Sequence, residues 1–123
     1  MQTRDKRITK ADVNRIGEAI TNLEKLTDKT KKYPSTLEYL ENCKNKLGVM
    51  KVFYAANLGY MEKATKFPYT SRELEAVFSE AKMIYTYARK PKAKSDPADS
   101  LWETPFKVFD LLILRARWLE GRD

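Results

Sequence analysis

Leu47-Gly48-Val49-Met50-Lys51-Val52-Phe53-Tyr54-Ala55-Ala56-Asn57-Leu58-Gly59-Tyr60-Met61 carries a single formal charge, on Lys51, in a chain whose charged content is 33%. At about 100° per residue, Leu47, Met50, Tyr54 and Met61 continue a seam begun by Leu40 and Cys43, and Val49, Phe53 and Tyr60 widen it to about half the circumference. A helix that apolar belongs at the centre of a domain. Ser35 and Glu38 supply a capping box at its start, so the stretch is expected to lie in one long central helix over about residues 35–66. The remaining arc gathers Gly48, Ala55 and Gly59 between Lys44 and Lys51. Small side chains there admit a closely packed neighbouring helix, admit a phosphate backbone between the two lysines, or mark a kink or break near Gly59.

The segments on either side read as amphipathic wrapping. Thr9 with Asp12 is an N-cap signal, Ile8 and Val13 form a hydrophobic staple, and Val13, Ile16, Ile20 and Leu23 repeat at helical spacing. Pro34 disfavours helical geometry at the residue before it and ends that first helix. Thr70 and Glu73 announce a third helix, whose apolar face comprises Leu74, Val77, Phe78, Ala81, Ile84, Tyr85 and Ala88. Residues 89–103 hold two prolines and no periodicity, and read as an exposed basic loop. Thr104 then caps a last helix with Pro105 in its first turn. That helix has one apolar face of Phe109, Leu112, Ile113, Ala116 and Leu119 and a second of Leu111, Leu114 and Trp118. The second face needs either the other helices or a partner chain. Gly121 closes the helix.

A chain of 123 residues with 42% apolar content suits one domain, residues 1–123, and four glycines and five prolines, most of them between periodic segments, suit helices. The expected fold is all-α, a four-helix bundle around the long central helix. The mean hydropathy of -0.63 describes a thoroughly charged exterior. No run is apolar and long enough to span a bilayer of about 30 Å, and the N-terminal residues lack the apolar core of a signal peptide. One cysteine, Cys43, excludes an intrachain disulfide and suits a reducing, cytoplasmic setting.

Without histidine, and with that one thiol, the chain has no ordinary zinc site, Ser-His-Asp triad or histidine base. Its carboxylate pairs sit at caps or on polar faces, and no glycine-rich phosphate loop is present. A non-enzymatic protein that needs no cofactor, metal or small-molecule substrate is the expectation.

The charge balance points elsewhere. Twenty-four basic residues against seventeen acidic leave +7, with +4 in residues 1–34 and zero in residues 101–123. Polyanion contact is therefore expected from the first two-thirds of the chain, through Arg4, Lys6, Arg7, Lys29, Lys31, Lys32, Lys44, Lys51, Arg89, Lys90, Lys92 and Lys94. Tyr33, Tyr85 and Tyr87 lie near enough in sequence to offer stacking. With no helix-turn-helix, RRM, KH or zinc module, such contact would address the nucleic-acid backbone, RNA or DNA, rather than base edges.

In size, charge and helix content the chain resembles the small helical subunits of CRISPR effector complexes. The resemblance implies a basic subunit of a larger nucleoprotein complex, with nucleic acid and other protein subunits as partners. The alternative is a regulator or inhibitor of phage or mobile-element type that docks on a host protein through Leu111, Leu114 and Trp118, steered by its positive charge.

Overall fold

The computed structural model describes residues 7–29, 34–59, 66–89 and 99–121. Four helices make up the fold: α1 (Lys10–Lys29), α2 (Pro34–Ala56), α3 (Ser71–Arg89) and α4 (Asp99–Leu119). Their similar lengths, 19 to 23 residues, amount to about 30 Å each, so every helix spans the same core. The chain is all-α, and no strand occurs among the described residues. Among those residues, no helix is long and apolar enough to cross a membrane.

Packing follows the order of the chain round a square. Helix α1 lies against α2 and α4, and α3 lies against the same two, while among the described residues the diagonal pairs hold their backbones farther apart and α2 meets α4 through side chains such as Tyr54 and Arg115. Two contacts fix the helix directions. The Gly59 N–H after α2 donates to the Ile8 carbonyl before α1 at 2.7 Å, and Ser71 at the start of α3 bonds Glu120 just past α4. Neighbours are thus antiparallel, and α1 and α3 both finish at the end where α2 and α4 begin.

Local chemistry explains most helix boundaries. The Thr9 hydroxyl accepts from the Asp12 N–H at 3.3 Å while the Asp12 carboxylate accepts from the Thr9 N–H at 2.9 Å. Thr70 and Glu73 make the same reciprocal pair at 3.1 and 2.9 Å ahead of α3. Each box satisfies two backbone donors that a helix start otherwise leaves to solvent. Gly121, with φ at 77°, ends α4 in the left-handed region that favours glycine.

Three boundaries differ from the sequence reading. Helix α2 starts at Pro34 rather than after it; proline is tolerated in a first turn because the N–H it lacks would have no helical partner. That position makes Ser35 an interior residue of the first turn, not its cap. Helix α2 also stops at Ala56 instead of continuing to about 66. Gly59 adopts φ of 74° in the turn that follows, and its N–H is taken by Ile8, so the apolar run Leu47–Met61 is cut by a backbone reversal. Tyr60 and Met61 lie outside the described residues. Finally, α4 begins at Asp99, five residues before the expected cap, with Pro105 inside it and fully buried. Residues 99–103 therefore belong to helix, not loop. Trp102 is 3% exposed and packs on Tyr85 and Phe106, with ring centroids 5.8 and 5.5 Å away. Burial of one large aromatic side chain offsets the backbone bond that Pro105 cannot make.

The core draws Ile16, Ala19, Leu23 and Leu26 from α1 and Leu40, Cys43, Leu47, Met50 and Tyr54 from α2. From α3 come Leu74, Val77, Phe78 and Ala81, and from α4 Trp102, Val108, Phe109, Leu112, Ile113 and Ala116. The seam read from Leu40 to Tyr54 is therefore buried, but it is narrower than half the helix. Val49 and Val52 face outward at 44% and 71% exposure.

A clamp joins the last helix to the third. Both carboxylate oxygens of Glu120 accept from Ser71, one from its N–H and one from its hydroxyl, each at 2.8 Å. A carboxylate at the N-terminus of α3 also meets the positive end of the helix dipole. Glu120→Ala is expected to cost about 2 kcal/mol by the scale of charge-assisted hydrogen bonds. Ser71→Ala combined with it should cost less than the sum, as a double-mutant cycle in urea would measure.

Cys43 is fully buried, with its sulfur 3.9 Å from the Val77 carbonyl. Burial pushes its thiol from the ordinary 9.0 up to about 12, helped by Glu80 and opposed by Lys46. At pH 8 a thiol reagent should modify it only as the bundle opens, at least ~10³-fold more slowly than in urea-unfolded chain. The folded state keeps a proton that the unfolded chain releases, so stability is full below pH 9 and falls as pH rises toward 12.

Candidate interaction surfaces

The basic residues named from the sequence fall into distinct places. Arg7 is exposed beside the Ile8–Gly59 contact. Lys44 is half-buried and reaches Glu41 on its own helix at 3.6 Å. Lys51 lies across the α1–α2 seam, its Nζ 3.3 Å from where a β-carbon on Gly17 would stand. Lys29 and Arg89 end α1 and α3. Arg4, Lys6, Lys31, Lys32, Lys90, Lys92 and Lys94 lie outside the described residues.

Among the described residues, no neighbouring helix packs on the small-residue arc of α2. Space for a β-carbon at Gly48 is open to 4 Å, Ala55 is exposed, and Gly59 stands in the turn beyond the helix. Among the three explanations for those glycines, the break at Gly59 is the one observed.

The four helices hold thirteen cations against twelve acids, so six of the seven net positive charges belong to connectors and termini. Residues 30–33 and 90–98 contain five cations, Lys31, Lys32, Lys90, Lys92 and Lys94, and one acid, Asp96. Helix directions put the anchor points of both connectors, Lys29 with Pro34 and Arg89 with Asp99, at the same end of the bundle. Sixty residues apart in sequence, Lys31–Lys32 and Lys90–Lys94 are thus tethered to one end. The four helices taken together carry one net positive charge.

The apolar face of α4 divides. Leu111 and Leu114 are 50% and 54% exposed, whereas Trp118 is half-buried and packs against the core. Only the two leucines are presented to solvent as a pair.

Leu111 also forms one lip of a cleft of about 230 Å³ between α1 and α4, closed beneath by the end of α2. Ile16, Val108 and Leu112 make its apolar walls, and Tyr54 its base. Arg15 and Arg115 approach from opposite helices. The Arg15 Nη1 lies 3.2 Å from the Asp12 carboxylate, and the Arg115 guanidinium is 5.8 Å from the Tyr54 ring centre, within cation–π range. Burial raises the Tyr54 hydroxyl well above its ordinary range, with Arg115 working against that shift and Asp12 adding to it. The hydroxyl stays protonated and the cleft carries two guanidiniums and one carboxylate. Sequence reading missed this pair because Arg15 and Arg115 stand one hundred positions apart.

A second hollow, of about 220 Å³, lies between Phe67–Thr70 and the end of α4. Its two carboxylates, Glu73 and Glu120, are engaged in the cap and the clamp. Among the described residues, no group of three or more potential ligands could hold a metal ion. No family model, curated protein or solved structure matches the chain.

Proposed function

We propose that the protein is a non-enzymatic, cytoplasmic, basic helical subunit that holds a nucleic-acid backbone within a larger nucleoprotein complex. The supporting observation is the concentration of four net positive charges in two connectors anchored at one end of a nearly neutral bundle. Phosphate contact needs little beyond clustered, solvent-reaching cations, and it carries no base specificity.

The test is the salt dependence of binding to a labelled single strand and to a duplex of equal length. Engagement of five cations gives a log–log slope of about -3.5 for the strand and -4.5 for the duplex. A flat slope, or no binding at low salt, would remove the reading.

The exposure of Leu111 and Leu114 favours a second reading, a regulator that docks on another protein through α4. Leu114→Asp should then abolish capture of that protein while leaving helicity intact. It is a cleaner probe than Trp118, whose replacement also disturbs the core.

A further inference from the structure

The outward face of α2 is apolar along a stretch where a surface helix is ordinarily charged. At about 100° per residue, Glu38, Glu41, Asn45, Gly48, Val52 and Ala56 share the arc opposite the buried seam from Leu40 to Tyr54. Val49, at the edge of that arc, is 44% exposed and Val52 is 71% exposed. The three lysines of the span lean off the strip: Lys44 toward Glu41 at 3.6 Å, Lys46 over the Tyr69 ring at 4.6 Å, and Lys51 across Gly17. Glycine and valine are poorer helix formers than the residues that usually face water. A β-carbon at Gly48 would meet nothing within 4 Å, so no contact among the described residues accounts for glycine there. We infer that this strip is the interface between two copies of the chain, packed antiparallel about a two-fold axis that passes between Gly48 and Val49.

Two independent observations set the same axis. The first is charge. Glu38 and Glu41 are exposed at the start of the strip. At its far end Gly59 is bonded to Ile8, which brings the exposed Arg7 beside it. Glu38 and Gly59 lie equally far along the chain from the point between Gly48 and Val49, so an antiparallel mate sets each acidic end level with the second copy's basic end. A parallel mate would set Glu38 against Glu38. A face whose charge reverses along its length complements itself, which is what a two-fold contact requires and an unlike partner does not. The second observation is size. Two crossed helices approach closest at their axis, and the strip has its glycine there. Gly48 then comes level with the second copy's Val49, and Val52 with its Asn45.

The contact sets a single helix against another, less than stable dimers bury, and the expected dissociation constant is on the order of 100 µM. Sedimentation velocity on the nuclease-treated full chain, from about 10 µM to about 1 mM, should show the passage from monomer to dimer. Val52→Asp should weaken association at least ~10-fold with helicity intact. Gly48→Gln should weaken it about tenfold while raising the melting temperature of the dilute chain, because a side chain at that position favours the isolated helix. That opposite sign separates an interface from a structural role. Orientation is read with introduced cysteines and diamide as oxidant, the buried Cys43 staying unreacted. Val49→Cys, beside the axis, should form disulfide-linked dimers, whereas Val52→Cys, about 10 Å along the helix from its mate, should not. Leu114→Asp, on α4, should leave association unchanged. A chain still monomeric at the highest concentration, equal linking of both cysteine variants, or association that survives Val52→Asp and is lost with Leu114→Asp would each overturn the inference.

Discussion

Replacing Lys31, Lys32, Lys90, Lys92 and Lys94 together by Gln is expected to flatten the salt dependence of nucleic-acid binding. If the five cations each neutralise one phosphate, the native chain should lose about 500-fold in duplex affinity between 50 and 200 mM salt, from a slope near -4.5. The variant should lose only a few-fold, and it should bind no more tightly at 50 mM than the native chain does at several times that salt. Variants carrying only the two substitutions of the first connector, or only the three of the second, should show intermediate slopes. Those partial slopes separate a joint site from a single basic tail. If one connector supplied the whole effect, the shared end of their anchor residues would have no bearing on binding. The far-ultraviolet dichroism of each variant checks that the four helices persist.

Trp102→Ala carries the largest expected effect on stability, a loss of about 3–5 kcal/mol. Tyr85, Phe78, Phe106 and Phe109 form a connected aromatic seam between α3 and α4, with Phe78 stacked on Phe109 at 5.6 Å and tilted against Phe106 at 5.4 Å. Trp102 packs on Tyr85 and Phe106 in this seam and draws the segment before Pro105 into the bundle. Its removal leaves a cavity and deprives residues 99–104 of the contact that holds them helical. Hydrogen exchange should therefore accelerate in the first turns of α4 beyond what a uniform loss of stability gives. Trp102→Phe keeps an aromatic ring in the seam and should retain most of the stability. An alanine variant as stable as the native chain would mean that the helix over residues 99–104 gains little from the packing.

The contrast between Thr104 and Trp102 shows where sequence reading succeeds and where it stops. Caps such as Thr9 with Asp12 and Thr70 with Glu73 close within three residues, so their partners are visible in the sequence itself. The buried seam from Leu40 to Tyr54 is visible for the same reason, being a matter of spacing along one helix. Thr104-Pro105 carries an equally strong start signal, but the aromatic seam shared by α3 and α4 overrides it. Gly59 illustrates the opposite failure. An apolar run that continues on both sides of a glycine gives no notice that Ile8, fifty-one positions away, takes its N–H. The Ser71–Glu120 clamp and the cleft that Arg15 and Arg115 both line are likewise tertiary facts. Of the candidate contact residues, the exposure of Leu111 and Leu114 agrees with the two-faced pattern of the last helix, and the half-burial of Trp118 separates it from them.

The square order of the helices also has a kinetic meaning. Three of the four helix pairings join segments consecutive in the chain, and only α1 with α4 pairs across the full length. Consecutive antiparallel pairs form early because short loops cost little entropy to close, whereas the α1–α4 pairing must wait for the longest loop. Substitutions at Ile16, Val108 and Leu112 should therefore speed unfolding with little effect on the folding rate. The cleft that carries Arg15 and Arg115 lies along that late-forming pairing, so an occupant that bridges the two helices would act as a brake on the unfolding of the whole protein.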